Sequence, residues 1–147
     1  METEDEGHDE AASVVIRRRV EWVDTDAAGI AHWLACLRLV EVAESALHTS
    51  LGTADDLLGS LPRLAASITY HGPLRFNDVA TVDLGVDAVG TSSLRYAFSI
   101  SGPDGAVASG TLDTCLVDPT SNRPRPLPGD VRERLRAGGP QTPGDGR

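Results

Sequence analysis

This chain changes from strand to helix across the stretch Asp24-Thr25-Asp26-Ala27-Ala28-Gly29-Ile30-Ala31-His32-Trp33. Before this stretch, residues 14–23 alternate between apolar and polar side chains, which predicts a strand. After it, residues 30–51 are apolar apart from one narrow polar stripe, which predicts a long helix that is buried on most sides and stops at Gly52. The stretch is therefore a turn that brings two carboxylates and an imidazole to the start of a buried helix.

Strand-like segments follow the predicted helix at short intervals, at residues 64–70, 79–89, 93–100 and 106–117. The turn Gly102-Pro103-Asp104-Gly105 predicts a hairpin between the last two segments. Hairpin turns between alternating segments are typical of an antiparallel sheet with one buried face, and the long helix can cover that face. The sequence therefore predicts an α+β protein with a five-stranded antiparallel sheet wrapped around one long central helix.

Length and composition predict one folded domain with a tail at each end. At 147 residues the chain is long enough for one hydrophobic core without disulfides or metals. Acidic residues crowd residues 1–12, and residues 138–147 are poor in apolar side chains, so both stretches are predicted to be disordered. The predicted domain spans residues 13–137 and ends in a short helix at residues 131–136.

Charge and hydropathy narrow the range of functions. The net charge of −9 disfavours nucleic-acid binding, because phosphate backbones require a basic surface. No apolar run is long enough to span a membrane. The acidic start is the opposite of a signal peptide, which predicts a cytoplasmic protein. Cys36 and Cys115 lie in apolar segments and are expected to be buried free thiols, since a disulfide would contradict that location.

The turn carries the residue types needed to hydrolyse an activated acyl compound. The Asp26 carboxylate can act as a base or nucleophile, and the N–H groups at the helix start can stabilise the oxyanion. His32 can orient the water or protonate the leaving group. The structural alternatives are that Asp26 caps the turn and that His32 is only a polar neighbour. Together with Asp24, these residues match no strong metal-ligand spacing, so no metal is predicted.

The turn and the helix that follows it also carry a recognisable sequence motif. The pattern Asp-x-Asp-x-x-Gly-Ile-x-His from Asp24 to His32, followed by Arg-x-x-Glu-x-Ala-Glu from Arg38 to Glu44, resembles the 4-hydroxybenzoyl-CoA thioesterase family of hotdog-fold enzymes. It is most similar to the acyl-CoA thioesterases of the Tol-Pal-associated type. The Pro-Leu-x-Phe-x-Asp turn at residues 73–78 and the proline-rich exit after the last strand follow in the family's order. The resemblance implies the hotdog fold and hydrolysis of an acyl-CoA without a metal or redox cofactor.

The resemblance also implies roles for residues around the turn. Asp26 corresponds to the family's catalytic carboxylate, and the backbone N–H of Trp33 corresponds to the group that points at the thioester oxygen. Gly29 would permit close approach of the substrate, although the need for a positive φ could also explain it. Tyr70 and His71 could reach a neighbouring subunit's site or could simply pack at the end of a strand.

The phosphates of CoA require local positive charge. Four arginines are candidates, namely Arg75, Arg95, Arg123 and Arg125. Arg75 and Arg123 are retained as substrate-binding residues, although any of the four could be a solvated surface side chain. The segment Leu34-Ala35-Cys36-Leu37 is entirely apolar where many relatives carry small or polar residues, which favours a hydrophobic acyl chain over an aryl group.

One helix and one curled sheet cannot cover every apolar strand face, and an edge strand is left open. A homodimer or homotetramer is therefore predicted, and the resemblance implies active sites at the subunit interface. Two alternatives to an acyl-CoA thioesterase stay open. The substrate could be a polyketide or fatty acyl chain on an acyl carrier protein, although such carriers are acidic like this chain. The protein could also be a hotdog module that binds an acyl ligand without catalysis.

Overall fold

The computed structural model describes residues 10–143, and the outer parts of both predicted tails, residues 1–9 and 144–147, lie outside the described residues. The strands are β1 (Ser13–Arg19), β2 (Arg63–Tyr70), β3 (Val79–Val89), β4 (Ser93–Gly102), β5 (Gly105–Cys115) and β6 (Pro140–Gln141). The helices are α1 (Ala35–Leu51), α2 (Ala54–Leu57) and α3 (Gly129–Ala137). Over the described range, no helix is long and apolar enough to cross a membrane.

The strands form a single sheet in the order β2-β5-β4-β3-β1-β6. The pairs β2–β5, β5–β4, β4–β3 and β3–β1 are all antiparallel. The core lies between α1 and the inner face of this sheet, and its hydrophobic cluster includes Leu84 of β3, Ile100 of β4, and Leu39 and Leu47 of the helix. Burying each such side chain contributes about 1.5–3 kcal/mol. The predicted architecture, a sheet wrapped around one long helix, is confirmed.

The sheet gains a sixth strand that the sequence did not predict. β6 pairs in parallel with Ser13 and Val14 of β1, and the Gly139 backbone donates to Glu10 and accepts from Ser13. A strand of two residues that includes a proline cannot show the alternation by which strands are recognised. The sheet is therefore mixed, and residues 10–12 and 138–143, on the outer sides of the predicted domain limits, take part in the fold.

The long helix begins at Ala35 and not at residue 30 as predicted. The residues in between are held in extended pairing, because Ala31 bridges Thr25 and Ile30 bridges Arg75. Backbone hydrogen bonds to distant segments thus override the helical periodicity at this point. The consequence is a longer loop between β1 and α1, which carries all the candidate catalytic side chains before the helix starts.

β1 also ends sooner than predicted. It stops at Arg19, and a single 3-10 turn covers Trp22–Asp24. Trp22 continues the apolar face of the predicted strand, which also carries Ile16 and Val20, but 76% of it is exposed. The alternation of side chains continues in the sequence after the chain has left the sheet, so the period alone cannot mark where the strand ends.

β2 forms an open edge of the sheet. It pairs with β5 on one side only, and none of its residues is buried. Its other side presents backbone N–H and C=O groups that have no strand partner within the described residues. An exposed edge strand of this length is a template for pairing with another chain.

Candidate active site

The loop between β1 and α1 makes a tight turn at Asp26. Its Oδ1 accepts a hydrogen bond from the Ala28 N–H at 2.8 Å, and its carbonyl accepts one from the Gly29 N–H at 2.9 Å. Gly29 has a φ of 77°, a left-handed conformation that glycine adopts at the lowest cost. The Asp26 N–H donates to the Ile30 carbonyl at 3.0 Å. These bonds make a tight turn in which Asp26 has a fixed position.

Asp26 keeps its second carboxylate oxygen available. The side chain is exposed, and Oδ2 has no hydrogen-bond partner among the described residues. A carboxylate that is held by one oxygen and free at the other can take a proton from water or attack a carbonyl carbon. The turn-capping alternative and the chemical role are therefore compatible, because they use different oxygens.

Asp24 fixes this loop to α1. Its buried carboxylate accepts hydrogen bonds from Nε and Nη2 of Arg38 at 2.8 Å each and from the Glu21 N–H at 2.9 Å. The bond from Arg38 is the main reason why the pKa of Asp24 is lowered, against the opposing effect of burial. The Asp24 carbonyl also accepts from the His32 N–H at 2.9 Å. Asp24 is fully engaged and braces the loop.

The start of α1 offers free backbone donors. Leu34 is the N-cap residue, and no side chain caps the helix. No acceptor within the described residues takes the N–H groups of Trp33 or Leu34. Such orphan N–H groups carry partial positive charge and stabilise an anion. The Tyr70 hydroxyl donates to the Trp33 carbonyl, which ties the end of β2 to this position.

A cavity of about 200 Å³ opens beside the helix start. His32, Trp33 and Cys36 line one part of it, and Tyr70 and Val107 come from the sheet. Burial raises the pKa of the Cys36 thiol, which is therefore neutral. Among the described residues, no carboxylate or guanidinium group lines the cavity. A cavity without carboxylate or guanidinium groups, next to free N–H donors, suits the acyl end of a thioester.

The structure brings only part of the predicted site together. His32, Trp33 and Tyr70 line the cavity, whereas Asp26 and Gly29 belong to the preceding loop and do not line it. The cavity wall also includes residues to which the sequence assigned no role in the site, namely Ile30, Ala31, Gly72, Pro73, Leu74 and Val107. These come from three separate segments, so no local pattern could have grouped them.

The remaining candidates lie outside the cavity lining. His71 Nε2 is 2.9 Å from Ser109 Oγ. Arg75 pairs through its backbone with Ile30, so its exposed side chain starts next to the loop. Arg123 is exposed in the segment after β5. Over residues 10–143, no group of three or more His, Cys, Asp or Glu side chains could hold a metal ion.

A chain of buried polar side chains was not predicted. The Tyr96 hydroxyl donates to Glu44 Oε2 at 2.7 Å and lies 2.6 Å from His48 Nε2. Thr53 Oγ1 lies 2.8 Å from His48 Nδ1. Arg63 donates to both oxygens of Glu44, at 2.9 and 2.5 Å. Glu44 and His48 belong to the narrow polar stripe of the predicted helix, but both are buried. Their spacing of one helical turn was the available signal.

A second cavity lies at the opposite end of β2. Its volume is about 530 Å³, and Glu41, Glu44 and Arg63 line it. These three groups are paired with one another, since Arg63 binds both glutamates. Arg63 is thus already engaged within the chain, and the backbone donors described above are at the other end of this stretch of α1. The smaller cavity at Trp33 is therefore the better candidate for chemistry.

Known thioesterases are similar to this chain over most of its length. A 1,4-dihydroxy-2-naphthoyl-CoA hydrolase from Synechococcus elongatus is 30% identical over 132 residues, which cover 85% of this chain and 96% of the relative. A 1,4-dihydroxy-2-naphthoyl-CoA thioesterase from Synechocystis has a TM-score of 0.71 at 23% identity, over 84% of this chain and 95% of that one. A thioesterase from Thermus thermophilus, complexed with coenzyme A and zinc, has a TM-score of 0.74 at 24% identity, over 84% of this chain and 92% of that one. No protein-family model matches the chain.

Proposed function

Because this chain belongs to the hotdog-fold thioesterase family and is an acyl-CoA thioesterase, we propose that Asp26 and the start of α1 carry out the hydrolysis. The observation that carries the proposal is the free Oδ2 of Asp26 on a loop that is hydrogen-bonded to the helix with the orphan Trp33 N–H. Within the family, the motif around Asp26 favours the 4-hydroxybenzoyl-CoA thioesterase type, in which this carboxylate acts.

The proposed reaction begins with the thioester oxygen at the Trp33 N–H. Asp26 Oδ2 takes a proton from a water molecule while the water oxygen attacks the carbonyl carbon. The tetrahedral oxyanion is stabilised by the N–H groups at the start of α1. The carbon–sulfur bond then breaks, CoA leaves as the thiolate, and the proton passes to sulfur. If Asp26 is instead the nucleophile, a mixed anhydride forms first and water cleaves it.

His32 has a supporting role in this proposal. Its side chain lines the cavity and makes no hydrogen bond to another described residue. It is therefore available to orient the attacking water or to donate a proton to the leaving thiolate. Tyr70 holds the Trp33 carbonyl, which orients the peptide that follows. Gly29 supplies the left-handed turn that Asp26 closes.

Arg75 and Arg123 are proposed to contact the CoA phosphates. Among the described residues, ion pairs occupy Arg95 but neither Arg75 nor Arg123. Arg125 is engaged differently, since it donates to the Val117 carbonyl. Exposed guanidinium groups without a carboxylate partner are the ones free to bind phosphate. The negative charge of the chain as a whole disfavours an acidic carrier protein over free CoA.

The functional unit is proposed to be a homodimer or a dimer of dimers. The open edge of β2 supplies unpaired backbone groups, and large apolar side chains nearby are exposed, with Trp33 at 67% and Leu34 at 49%. A second copy that adds its own β2 would satisfy those groups and cover these side chains. The sites would then lie at the subunit interface, within reach of His71 from the end of β2.

The test is the variant Asp26→Asn, assayed by trapping the released CoA thiol. The amide oxygen can still accept from the Ala28 N–H, so the loop keeps its shape while the base is lost. Turnover should fall by at least about 10²-fold. Asp104→Asn, an exposed aspartate in the turn between β4 and β5, is the matched control and should keep full activity. Near-normal turnover of folded Asp26→Asn would overturn the assignment.

The same assay separates the other two functions. Turnover of an acyl group on a carrier protein, with none of the matching acyl-CoA, would show that the substrate is the acyl carrier protein thioester. Binding of an acyl-CoA without thiol release would indicate a non-catalytic acyl-binding module.

A further inference from the structure

We propose that the nucleotide end of CoA binds on an exposed aromatic platform, Trp22 and Phe76, with its adenine ring on Trp22 and its phosphates at Arg19 and Arg75. The assignment rests on the proposed function, which puts the thioester at the start of α1. It adds a separate site for the part of the substrate that reacts least and that an acyl carrier protein lacks, namely the adenine.

The platform presents a flat ring to solvent in a fixed orientation. The ring centroids of Trp22 and Phe76 are 5.6 Å apart, and their planes meet at 83°. Trp22 is 76% exposed and Phe76 is 44% exposed. An edge-to-face contact orients the indole without covering the rest of its surface. An aromatic ring that is held in this way can stack with a nucleobase, because every base has a π-face.

Two arginines supply positive charge beside the platform in a chain that is acidic overall. Arg19 Nη1 donates to the Asn77 carbonyl at 2.9 Å, which holds this guanidinium at the turn that carries Phe76. Arg75 directly precedes Phe76, and its side chain is exposed. Among the described residues, no carboxylate forms an ion pair with Arg19 or Arg75, and Asp78 Oδ2 accepts the Arg75 backbone N–H instead. Guanidinium groups in this state bind phosphate.

The platform is continuous with the loop that carries the proposed base. Arg75 pairs through its backbone with Ile30, and the Phe76 N–H donates to the Gly29 carbonyl at 3.3 Å. From the helix start outward, the surface thus offers backbone N–H groups, then Arg75, then Trp22. This is the order of the thioester, the phosphates and the adenine along CoA.

The proposed dimer leaves the platform exposed. Trp22 follows β1 and Phe76 precedes β3, so the platform lies at the β1 edge of the sheet. The strand order places β1 four strands from β2, or about 19 Å along the sheet. Because a second copy that pairs through β2 approaches from the opposite edge, the platform is expected to stay accessible in the assembled enzyme.

The first experiment compares two substrates with the same acyl group, one carried by CoA and the other by pantetheine, which has no nucleotide. The acyl group is the one that the wild type releases fastest from CoA. Trp22→Ala should raise KM for the acyl-CoA about ten-fold at unchanged kcat, and should leave KM for the acyl-pantetheine unchanged. Trp22→Phe keeps an aromatic ring and should recover most of the loss. Val15→Ala, which shortens another exposed apolar side chain of β1, is the control.

The arginines are tested with the same pair of substrates. Arg19→Gln and Arg75→Gln should each raise KM for the acyl-CoA about five-fold, again without an effect on the acyl-pantetheine. Arg136→Gln removes an exposed guanidinium on α3 and should leave both KM values at those of the wild type.

The second experiment measures binding without catalysis. The chain has two tryptophans, Trp22 and Trp33, so each can be observed in a variant that lacks the other. Adenosine 3′,5′-bisphosphate should quench the tryptophan fluorescence of wild type and of Trp33→Phe, but not that of Trp22→Phe. It should also inhibit turnover of the acyl-CoA competitively and leave turnover of the acyl-pantetheine unaffected.

Three results would overturn the nucleotide site. These are an unchanged KM for the acyl-CoA in Trp22→Ala, equal changes of KM for both substrates, and quenching that persists in Trp22→Phe. Equal changes would show that the platform serves the fold or contacts another protein. The proposed function fails separately, because Asp26→Asn should bind adenosine 3′,5′-bisphosphate like the wild type whether or not Asp26 is the base.

Discussion

Arg38 binds Asp24 through both carboxylate oxygens, with Nε–Oδ1 and Nη2–Oδ2 distances of 2.8 Å. Asp24 is buried, whereas the Arg38 side chain is 43% exposed. The pair joins α1 to the loop two residues before Asp26, so it sets where the proposed base stands relative to the helix start. We therefore propose that the ion pair positions Asp26 for the reaction in addition to stabilising the fold.

Arg38→Lys should separate these two contributions. Lysine keeps the positive charge but cannot bind both oxygens in one plane, so the loop loses its fixed orientation. We expect kcat/KM to fall by about ten-fold while the free energy of unfolding falls by less than about 1 kcal/mol. Arg38→Ala, which leaves the buried carboxylate unpaired, should cost about 1–3 kcal/mol in urea unfolding. Wild-type kcat/KM for Arg38→Lys would show that the pair is structural only.

His32→Ala should lower turnover less than Asp26→Asn does. The imidazole lines the cavity but has no hydrogen bond to another described residue, so its loss leaves the Asp26 turn intact. A loss of about ten-fold in kcat is expected for a group that assists proton transfer without being the primary base. The measurement is kcat at saturating substrate for both variants. A larger loss at His32 than at Asp26 would reverse their roles.

The buried imidazole of His48 predicts a pH dependence of stability. Desolvation lowers its pKa from 6.5 to about 4 in the folded protein. The unfolded chain therefore binds more protons between these two values, and stability falls as the pH drops from 6.5 towards 4. The contribution of His48 is fully present above pH 6.5, and up to about 3 kcal/mol of it is lost across this window.

This contribution can be isolated by replacing the imidazole. His48→Gln cannot titrate, so its free energy of unfolding should depend less on pH between 4 and 6.5 than that of the wild type. Urea unfolding at fixed protein concentration and several pH values measures the difference. His71→Gln, which removes an exposed imidazole, should keep the wild-type slope. Parallel curves for wild type and His48→Gln would contradict the prediction.

Sedimentation velocity at micromolar concentration should find a dimer or a dimer of dimers. Ser67→Glu places a negative charge on the open edge strand of an already acidic protein, so it should weaken the association by at least about ten-fold. Ser101→Glu puts the same charge on an exposed position of β4, an interior strand, and is the control. A folded and fully active monomer in the wild type would refute the proposed assembly.

Regular elements were predictable where local and tertiary preferences agree. The bounds of β3 match the prediction, because the strand alternates over most of its length and lies between two turns. The end of α1 matches as well, since Gly52 ends it in the left-handed conformation with a φ of 76°. The start of α1 could not be predicted, because Ala31 and Ile30 are held by backbone pairing with Leu74 and Arg75, which lie in the turn after β2.

The candidate site was likewise predictable only in part. The loop motif grouped Asp26, His32 and Trp33 because all three lie within one short segment, but only His32 and Trp33 line the cavity. The cavity could not be predicted, since its walls also come from the turn after β2 and from β5. The burial of Glu44 and His48 could not be predicted either, for a different reason. Polar side chains on a helix normally face water, and only the position of Tyr96 in space shows that these two do not.

The two edges of the sheet differ in their capacity to pair with a further strand. At one edge, β6 pairs with Ser13 and Val14 of β1. The rest of β1 carries the exposed residues Arg17, Arg18 and Arg19, whose like charges would repel a neighbouring strand. At the other edge, β2 has no second strand partner within residues 10–143. A protomer with one open sheet edge can pair with one other copy in this way, so association through edge strands stops at the dimer. The same polypeptide with both edges bare could extend without limit into a fibre.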